Sequence, residues 1–256
     1  MTKPLLPPEH PWADRILIFD SLPSTNTFAK ELAAQGAAHG TAVVARAQTG
    51  GRGRMGRSFS SPEGQGVYLS LILRPNCKAD ALMHLTCAVA VAMVEAVEQV
   101  AGVAPDIKWI NDLILHGKKL GGILTELSMG ADGSVESAVV GIGINCLQEA
   151  FPGELETIAT SLLMETGKHI SPDTLAAAML GSLYKMWDGI FSHKADIMAE
   201  YARRCITLGK EIRLIRGEEI RFGTALGLTE SGSLTVRFPD GHTEDVDSGE
   251  VSVRNL

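Results

Sequence analysis

Apolar positions along the chain switch repeatedly between a strand-like rhythm and a helix-like one. Ile16 to Phe19 is a short β-like run that ends in a turn-like Asp20-Ser21-Leu22-Pro23. Ser24 or Thr25 then caps a predicted helix through Phe28, Leu32 and Ala33 to Gly36. Thr41 to Ala47, rich in β-branched residues and alanine, predicts a buried strand, and Val67 to Leu73 the next. From Ala79 to Val100 apolar residues fall on nearly every face, the pattern of a central buried helix, and Gly102 stops it. Strands follow at Ile107 to Trp109, Ile114 to Leu115, Gly122 to Leu127 and Ser137 to Ile144, with glycine at their boundaries.

Ser171-Pro172-Asp173 combines a capping hydroxyl, a proline at the first helical position and an early carboxylate, and predicts a helix running to Arg204. Beyond it the runs become short and alternating: Glu211 to Ile215, Ile220 to Leu228, Ser233 to Phe238 and His242 to Val246, separated by Gly217, Gly232 and Asp240-Gly241. That change of rhythm predicts a small β-barrel-like unit of about fifty residues, which needs to pack on the rest of the chain for stability.

Composition narrows the class. A chain of 256 residues, 45% hydrophobic and 21% charged, suits one large domain with a small appendage and has ample material for a core. The net charge of −7 argues against a protein that coats nucleic acid. Cys77, Cys87, Cys146 and Cys205 are scattered with no CxxC pair, which suggests neither a zinc site nor a disulfide framework and fits a cytoplasmic protein. Met1 to Pro11 lacks the apolar core of a signal peptide. Leu85 to Val94 is about half the ~20 residues a membrane span needs, so no membrane partner is expected.

Against that acidic average stands a cationic island. Arg46, Arg52, Arg54 and Arg57 cluster around Gly50, Gly51, Gly53 and Gly56, and no Asp or Glu occurs between Leu32 and Pro62. Arginine forks and glycine-exposed backbone N–H groups suit an anion. Gly51-Arg-Gly53-Arg-Met-Gly56 formally matches a dinucleotide loop, but a strand rather than a helix follows it. A Walker A loop is excluded, because no Gly-Lys-Ser/Thr follows; a solvated basic loop stays open as the plain alternative.

Two further groupings carry possible chemistry. Lys108-Trp-Ile-Asn-Asp112 followed by Lys118-Lys-Leu-Gly-Gly-Ile-Leu-Thr-Glu126 reads as a hairpin that brings Asp112 and Lys119 together, either as a surface ion pair or as part of a site. Gly121 and Gly122 permit close approach there. Gly141-Ile-Gly-Ile-Asn145 is a glycine-rich strand end whose asparagine either binds a ligand or caps a turn.

In order and spacing these segments, with Ser24-Thr-Asn26 and Gln48, resemble the biotin protein ligase family from Ser21 to Asn145. The β-rich C-terminus is similar to that family's small SH3-like domain. The resemblance implies an α+β fold: a class II synthetase-like catalytic domain with a mixed sheet and helices over residues 1–206, and an SH3-like β-barrel over 207–256. It implies that ATP and biotin, with Mg²⁺, give biotinyl-5′-AMP, and that a lysine of a biotin carboxyl carrier protein then takes the biotin.

By the same resemblance Ser24, Thr25, Asn26, Gln48, Arg52, Gly53, Arg54, Lys119 and Gly122 line the biotin subsite, and Arg57, Phe59, Asn111 and Asn145 serve the nucleotide. Arg54 and Lys119 would stabilise charge in the transition state, and Asp112 would orient the acceptor lysine. No metal site is implied from protein groups alone. Phe59 stands where many relatives carry tryptophan, and Ile110 where many carry proline. The residues before Ser24 are too few for the winged helix of repressor forms, so a ligase-only form without a DNA partner is expected, as monomer or homodimer. The rival activities are lipoate or octanoate transfer and, in another class, a biotin-responsive regulator without ligase activity.

Overall fold

The computed structural model describes residues 4–247 and 249–253, so the outermost residues of both expected domains lie outside the described part. The chain opens with β1 (Ile16–Leu22), α1 (Thr25–Ala34) and β2 (Thr41–Gln48). β1 and β2 pair in parallel, which requires a crossover, and α1 supplies it. Ser24 caps α1 by accepting from the Thr27 N–H, as its sequence context predicts. Strand β1 runs on to Leu22, because Ser21 and Leu22 pair with Ala47 and Gln48; the expected turn at Asp20 does not form.

Next come β3 (Gly66–Leu73), α2 (Leu85–Ala101), β4 (Asp106–Lys108), β5 (Asp112–Leu115), β6 (Lys118–Met129) and β7 (Val135–Asn145). Together with β1 and β2 they form a seven-stranded sheet in the order β1-β2-β3-β7-β6-β5-β4, antiparallel except for β1–β2. The part of the chain that builds this sheet is therefore a mixed-sheet α+β fold. The segment Asp80–Ala101 is long and apolar enough to cross a membrane, but 72% of its most apolar window is buried as the core helix. Gly102, left-handed at φ 73°, ends α2.

The two faces of this sheet have different fates. Val67, Leu69, Leu71 and Leu73 of β3, with Val140, Ile142 and Ile144 of β7, pack toward α2 and α5 (Pro172–Gly189) in the main core. On the other face Ile72, Val43 and Val139 pack under Ala29 and Ala33 of α1, which covers only one end. Following the register away from α1, Ser70 pairs with Gly141 and Tyr68 with Gly143, while Gly141 and Gly143 pair with Leu124 and Gly122. Because side chains alternate by face, these glycines leave a hollow on the sheet where α1 stops.

Short helices α3 (Leu155–Ile158) and α4 (Leu162–Thr166) precede α5, and neither was legible in the periodicity. The single helix expected from Ser171 to Arg204 is two, α5 and α6 (Lys194–Arg204). Gly189 weakens the junction, and the Ile190 carbonyl accepts from buried His84 Nε2 at 2.9 Å rather than from the following helical turn. Ser171 makes no side-chain cap bond to α5, so proline and Asp173 mark that start without it.

The C-terminal unit contains β8 (Glu211–Arg216), β9 (Glu219–Leu228), β10 (Leu234–Arg237), β11 (Thr243–Val246) and β12 (Glu250–Val253) in the order β11-β10-β9-β8-β12. The expected barrel is not closed: this is an open five-stranded sheet. After β11 the chain crosses to the far edge and pairs β12 with β8, so consecutive strands end on opposite edges. Closure would need those edges to pair, and among the described residues they do not. The sheet is fastened to the N-terminal part by buried bonds, from Trp109 Nε1 to the Gly232 carbonyl at 2.9 Å and from the Trp109 N–H to Thr207 Oγ1 at 3.0 Å.

Candidate active site

The hollow beyond α1 is a cavity of about 150 Å³ walled by α1, the glycine-arginine loop, β5 to β7 and the start of β12. Its polar floor is built by short side chains that satisfy one another. Gln48 Oε1 accepts from the Thr25 N–H at 2.8 Å and from Thr25 Oγ1 at 3.2 Å, and Gln48 Nε2 donates to Ser61 Oγ at 2.8 Å. Asn26 Nδ2 donates to Glu126 Oε2 at 2.9 Å, and Asn26 Oδ1 lies 2.7 Å from Ser70 Oγ. These pairings fix the orientation of both amides and leave the floor pre-organised.

Glycines face this floor, and two of them make it possible by omission. A Cβ on Gly141 would lie 2.1 Å from Asn26 Oδ1, one on Gly143 would lie 2.5 Å from the Phe59 ring, and one on Gly122 would touch Lys119 Nζ at 3.4 Å and Asp112 Oδ1 at 3.5 Å. Gly141 and Gly143 thus hold open the places that Asn26 and Phe59 occupy, whereas a Cβ on Gly122 would make only ordinary contact.

The loop arginines line the same cavity, apart from Arg46, which points away to Asp20 and Asp173. Arg54 Nη1 donates to Asn111 Oδ1 at 3.0 Å and Nη2 to the Gly249 carbonyl at 3.5 Å. Burial lowers the Arg54 guanidinium, while Asp112, Tyr201 and Glu250 favour its charge. Arg57 is paired with Glu250, whose hydrogen bond pushes the guanidinium up and holds the carboxyl down. Arg52 faces Glu126. The island without local acids is therefore balanced by acids brought from β6 and β12.

Across the β5–β6 hairpin Lys119 Nζ donates to Asp112 Oδ1 at 2.7 Å. Behind it, Tyr201 OH donates to the Ile110 carbonyl at 3.1 Å, and the Trp109 N–H donates to Thr207 Oγ1 at 3.0 Å. The segment carrying Asn111 and Asp112 is thus gripped from α6 and from the turn that leads into the C-terminal sheet. The Trp109–Ile110 peptide is cis.

Ser24, Thr25, Asn26, Gln48, Arg52, Gly53, Arg54, Arg57, Phe59, Asn111, Asp112, Lys119 and Gly122 all line the cavity. Asn145 does not: it is buried, donates to the Thr160 carbonyl at 2.9 Å and accepts from Gln148 at 3.2 Å. Sequence reasoning missed Ser61, Ser70 and Glu126, which orient the floor, and Gly249, Glu250 and Val251, which close the wall. Only Glu126 carried a signal, as the last residue of the Lys118–Glu126 stretch. Among the described residues no three His, Cys, Asp or Glu side chains gather as metal ligands.

Residues 18–145 match the Biotin/lipoate A/B protein ligase family, and residues 207–254 match the Biotin protein ligase C terminal domain. The bifunctional ligase/repressor BirA of Bacillus subtilis is 38% identical over 241 residues, covering 91% of this chain and 74% of that protein. The biotin–[acetyl-CoA-carboxylase] ligase of Paracoccus denitrificans is 34% identical over 225 residues, covering 85% and 92% of the two chains. Among solved structures, the biotin protein ligase from Aquifex aeolicus in complex with biotin and ATP superposes with a TM-score of 0.78 at 30% identity, covering 94% of this chain and 98% of that one.

Proposed function

The chain belongs to the biotin protein ligase family and is an ATP- and biotin-dependent ligase, and from that premise we propose how its residues divide the reaction. The observation that carries the proposal is the convergence of Arg54, Asn111, Asp112 and Lys119 on one cavity whose floor is the Thr25, Asn26 and Gln48 network.

In the first step a biotin carboxylate oxygen attacks the α-phosphorus of ATP, and pyrophosphate leaves. Negative charge concentrates between two anions, so fixed cations stabilise the transition state. We assign that work to Arg54 and Lys119. Short polar side chains at Ser24, Thr25, Asn26 and Gln48 suit a ureido group, which is costly to bury unpaired. Arg52 and Gly53 cover that end, and Gly122 gives the carboxyl room. Arg57, Phe59 and Asn111 serve the nucleotide, Phe59 by offering a π-face. Asn145 supports the strand end from outside the cavity in this assignment.

In the second step a lysine amine attacks the acyl carbonyl, an amide forms and AMP leaves. The amine must first give up a proton, and we assign its orientation and deprotonation to Asp112. The acceptor is a soluble protein of the biotin carrier type, and the finer proposal is a lysine of a biotin carboxyl carrier protein. We further propose a catalytic unit over 1–206 and an accessory unit over 207–256, acting in the cytoplasm. The family matches at 18–145 and 207–254 support that division.

The C-terminal match also favours biotin over lipoate. Purified protein given ATP, Mg²⁺ and biotin is expected to release pyrophosphate, form biotinyl-adenylate and label an apo carrier domain. Transfer of labelled lipoate in place of biotin would overturn the reading.

A further inference from the structure

Glu126 lies outside the cavity walls, yet it joins two parts of the site that are distant in sequence. Its Oε2 accepts from Asn26 Nδ2 at 2.9 Å and from Arg52 Nη1 at 3.4 Å. Its Oε1 accepts from Lys30 Nζ at 2.9 Å and from Arg52 Nη2 at 3.5 Å. The carboxylate thus presents both oxygens to the Arg52 fork while holding the floor amide. Burial by itself raises this carboxyl, but the bonds from Lys30 and Asn26 and the charge of Arg52 outweigh it and hold it below its ordinary range.

The glycine-arginine loop is closed at its base by its own backbone, with the Gly53 N–H donating to Arg57 at 2.7 Å and the Phe59 N–H to Gly51 at 2.9 Å. The loop is then held to the sheet by its arginine side chains, from the base as well as the tip. Arg54 and Arg57 tie it on the side of Asn111 and Glu250. On the Asn26 side the tie is Arg52 to Glu126.

We propose that Glu126 latches the glycine-arginine loop over the biotin compartment, and so sets how long biotin and its adenylate stay bound without taking part in the chemistry. The proposal rests on the biotin reading above. Arg52 is 46% exposed and Glu126 20% exposed at the side chain, so the latch is a partly screened pair that yields to salt.

The test is the rate at which bound biotinyl-adenylate leaves, chased with excess unlabelled biotin at low and high ionic strength. Glu126→Gln keeps an acceptor for Asn26 and removes the charge. It is expected to release adenylate about fivefold faster, with pyrophosphate release at saturating substrates within about twofold of wild type. Wild type should release faster as salt rises, and the variant should respond less, because only the Arg57–Glu250 pair is left to screen. Lys30→Met removes the other cation on the same carboxylate without touching the loop, and should leave the off-rate unchanged. Equal off-rates in wild type and Glu126→Gln, a salt-insensitive wild type, or a Lys30→Met variant as fast as Glu126→Gln would each overturn the latch. The wild-type salt response stands even if the variant folds poorly. A wild type that retains no adenylate at all overturns the biotin reading, and the latch with it.

Discussion

Lys119 reaches Asp112, Nζ to Oδ1 at 2.7 Å, only because the hairpin between them slips register. Asp112 pairs with Gly122 and Leu113 with Gly121, but Ile114 pairs with Lys119, so Leu120 is an extra residue. In an unbroken ladder Lys119, three residues before Gly122, would face the opposite side of the sheet from Asp112. The bulge turns Lys119 into the cavity and sends Leu120, fully buried, into the core.

Separating the two halves of that pair should separate the two chemical steps. Lys119→Ala removes the cation assigned to the first transition state and is expected to slow adenylate formation by about 10²–10³-fold with the fold intact. Asp112→Asn keeps an oxygen near Lys119 but cannot take a proton. It should slow transfer to the carrier domain more than it slows pyrophosphate release. Measuring both steps on both variants decides the matter: equal losses in the two steps for Asp112→Asn would remove its assigned role.

The glycines on the hollow face should report which compartment each one serves. Gly143→Ala drives a methyl to 2.5 Å from the Phe59 ring, which must turn away. We expect the KM for ATP to rise about tenfold with little change for biotin, the cost of overpacking being about 1–3 kcal/mol. Gly141→Ala meets Asn26 Oδ1 at 2.1 Å and should invert that pattern. If both variants raised the two KM values equally, the subsite division would not stand.

How much of this was readable beforehand depends on how local each cause is. The Ser24 cap, the succession of β1, α1 and β2, and the Asp112–Lys119 hairpin rest on residues a few positions apart, and the pattern carries them. Glycine at 141 and 143 correctly signals close approach, but what approaches, Asn26 and Phe59, is set by the fold. Partners such as Glu126 and Glu250 lie 74 and 193 residues from their arginines, beyond any local rhythm. The open C-terminal sheet was missed for the same reason, since alternation gives strands but not which edge the last one joins. The break between α5 and α6 coincides with a contact from His84 to the Ile190 carbonyl, 106 residues away.

Trp109 offers a test of how the C-terminal sheet supports the catalytic segment. Its indole is 4% exposed and donates to the Gly232 carbonyl. Trp109→Phe keeps most of the packing and leaves that carbonyl unpaired, at a cost of about 1–3 kcal/mol. The urea midpoint should fall while the slope stays constant, since the surface exposed on unfolding is unchanged. An unshifted midpoint would mean that the bond contributes nothing to docking of the sheet.

Helix α6 supplies a prediction about acid stability. Glu200 accepts from Arg203 at 2.7 Å and from Arg204 at 2.5 Å, and these partners, Arg203 first, hold its carboxyl down at about 2 against an ordinary 4.5. A carboxyl depressed on folding binds protons more readily in the unfolded chain. Its stabilisation is therefore complete above about 4.5 and is lost as pH falls toward about 2. One-third exposure of the Glu200 side chain screens the pairs, so the effect should stay below about 2 kcal/mol. Thermal unfolding of wild type and Glu200→Gln should show wild type ahead at pH 7 and the gap closing steadily below pH 4.5. A gap that keeps its pH 7 size at pH 3 would show that the substitution acts through packing on α6 rather than through charge.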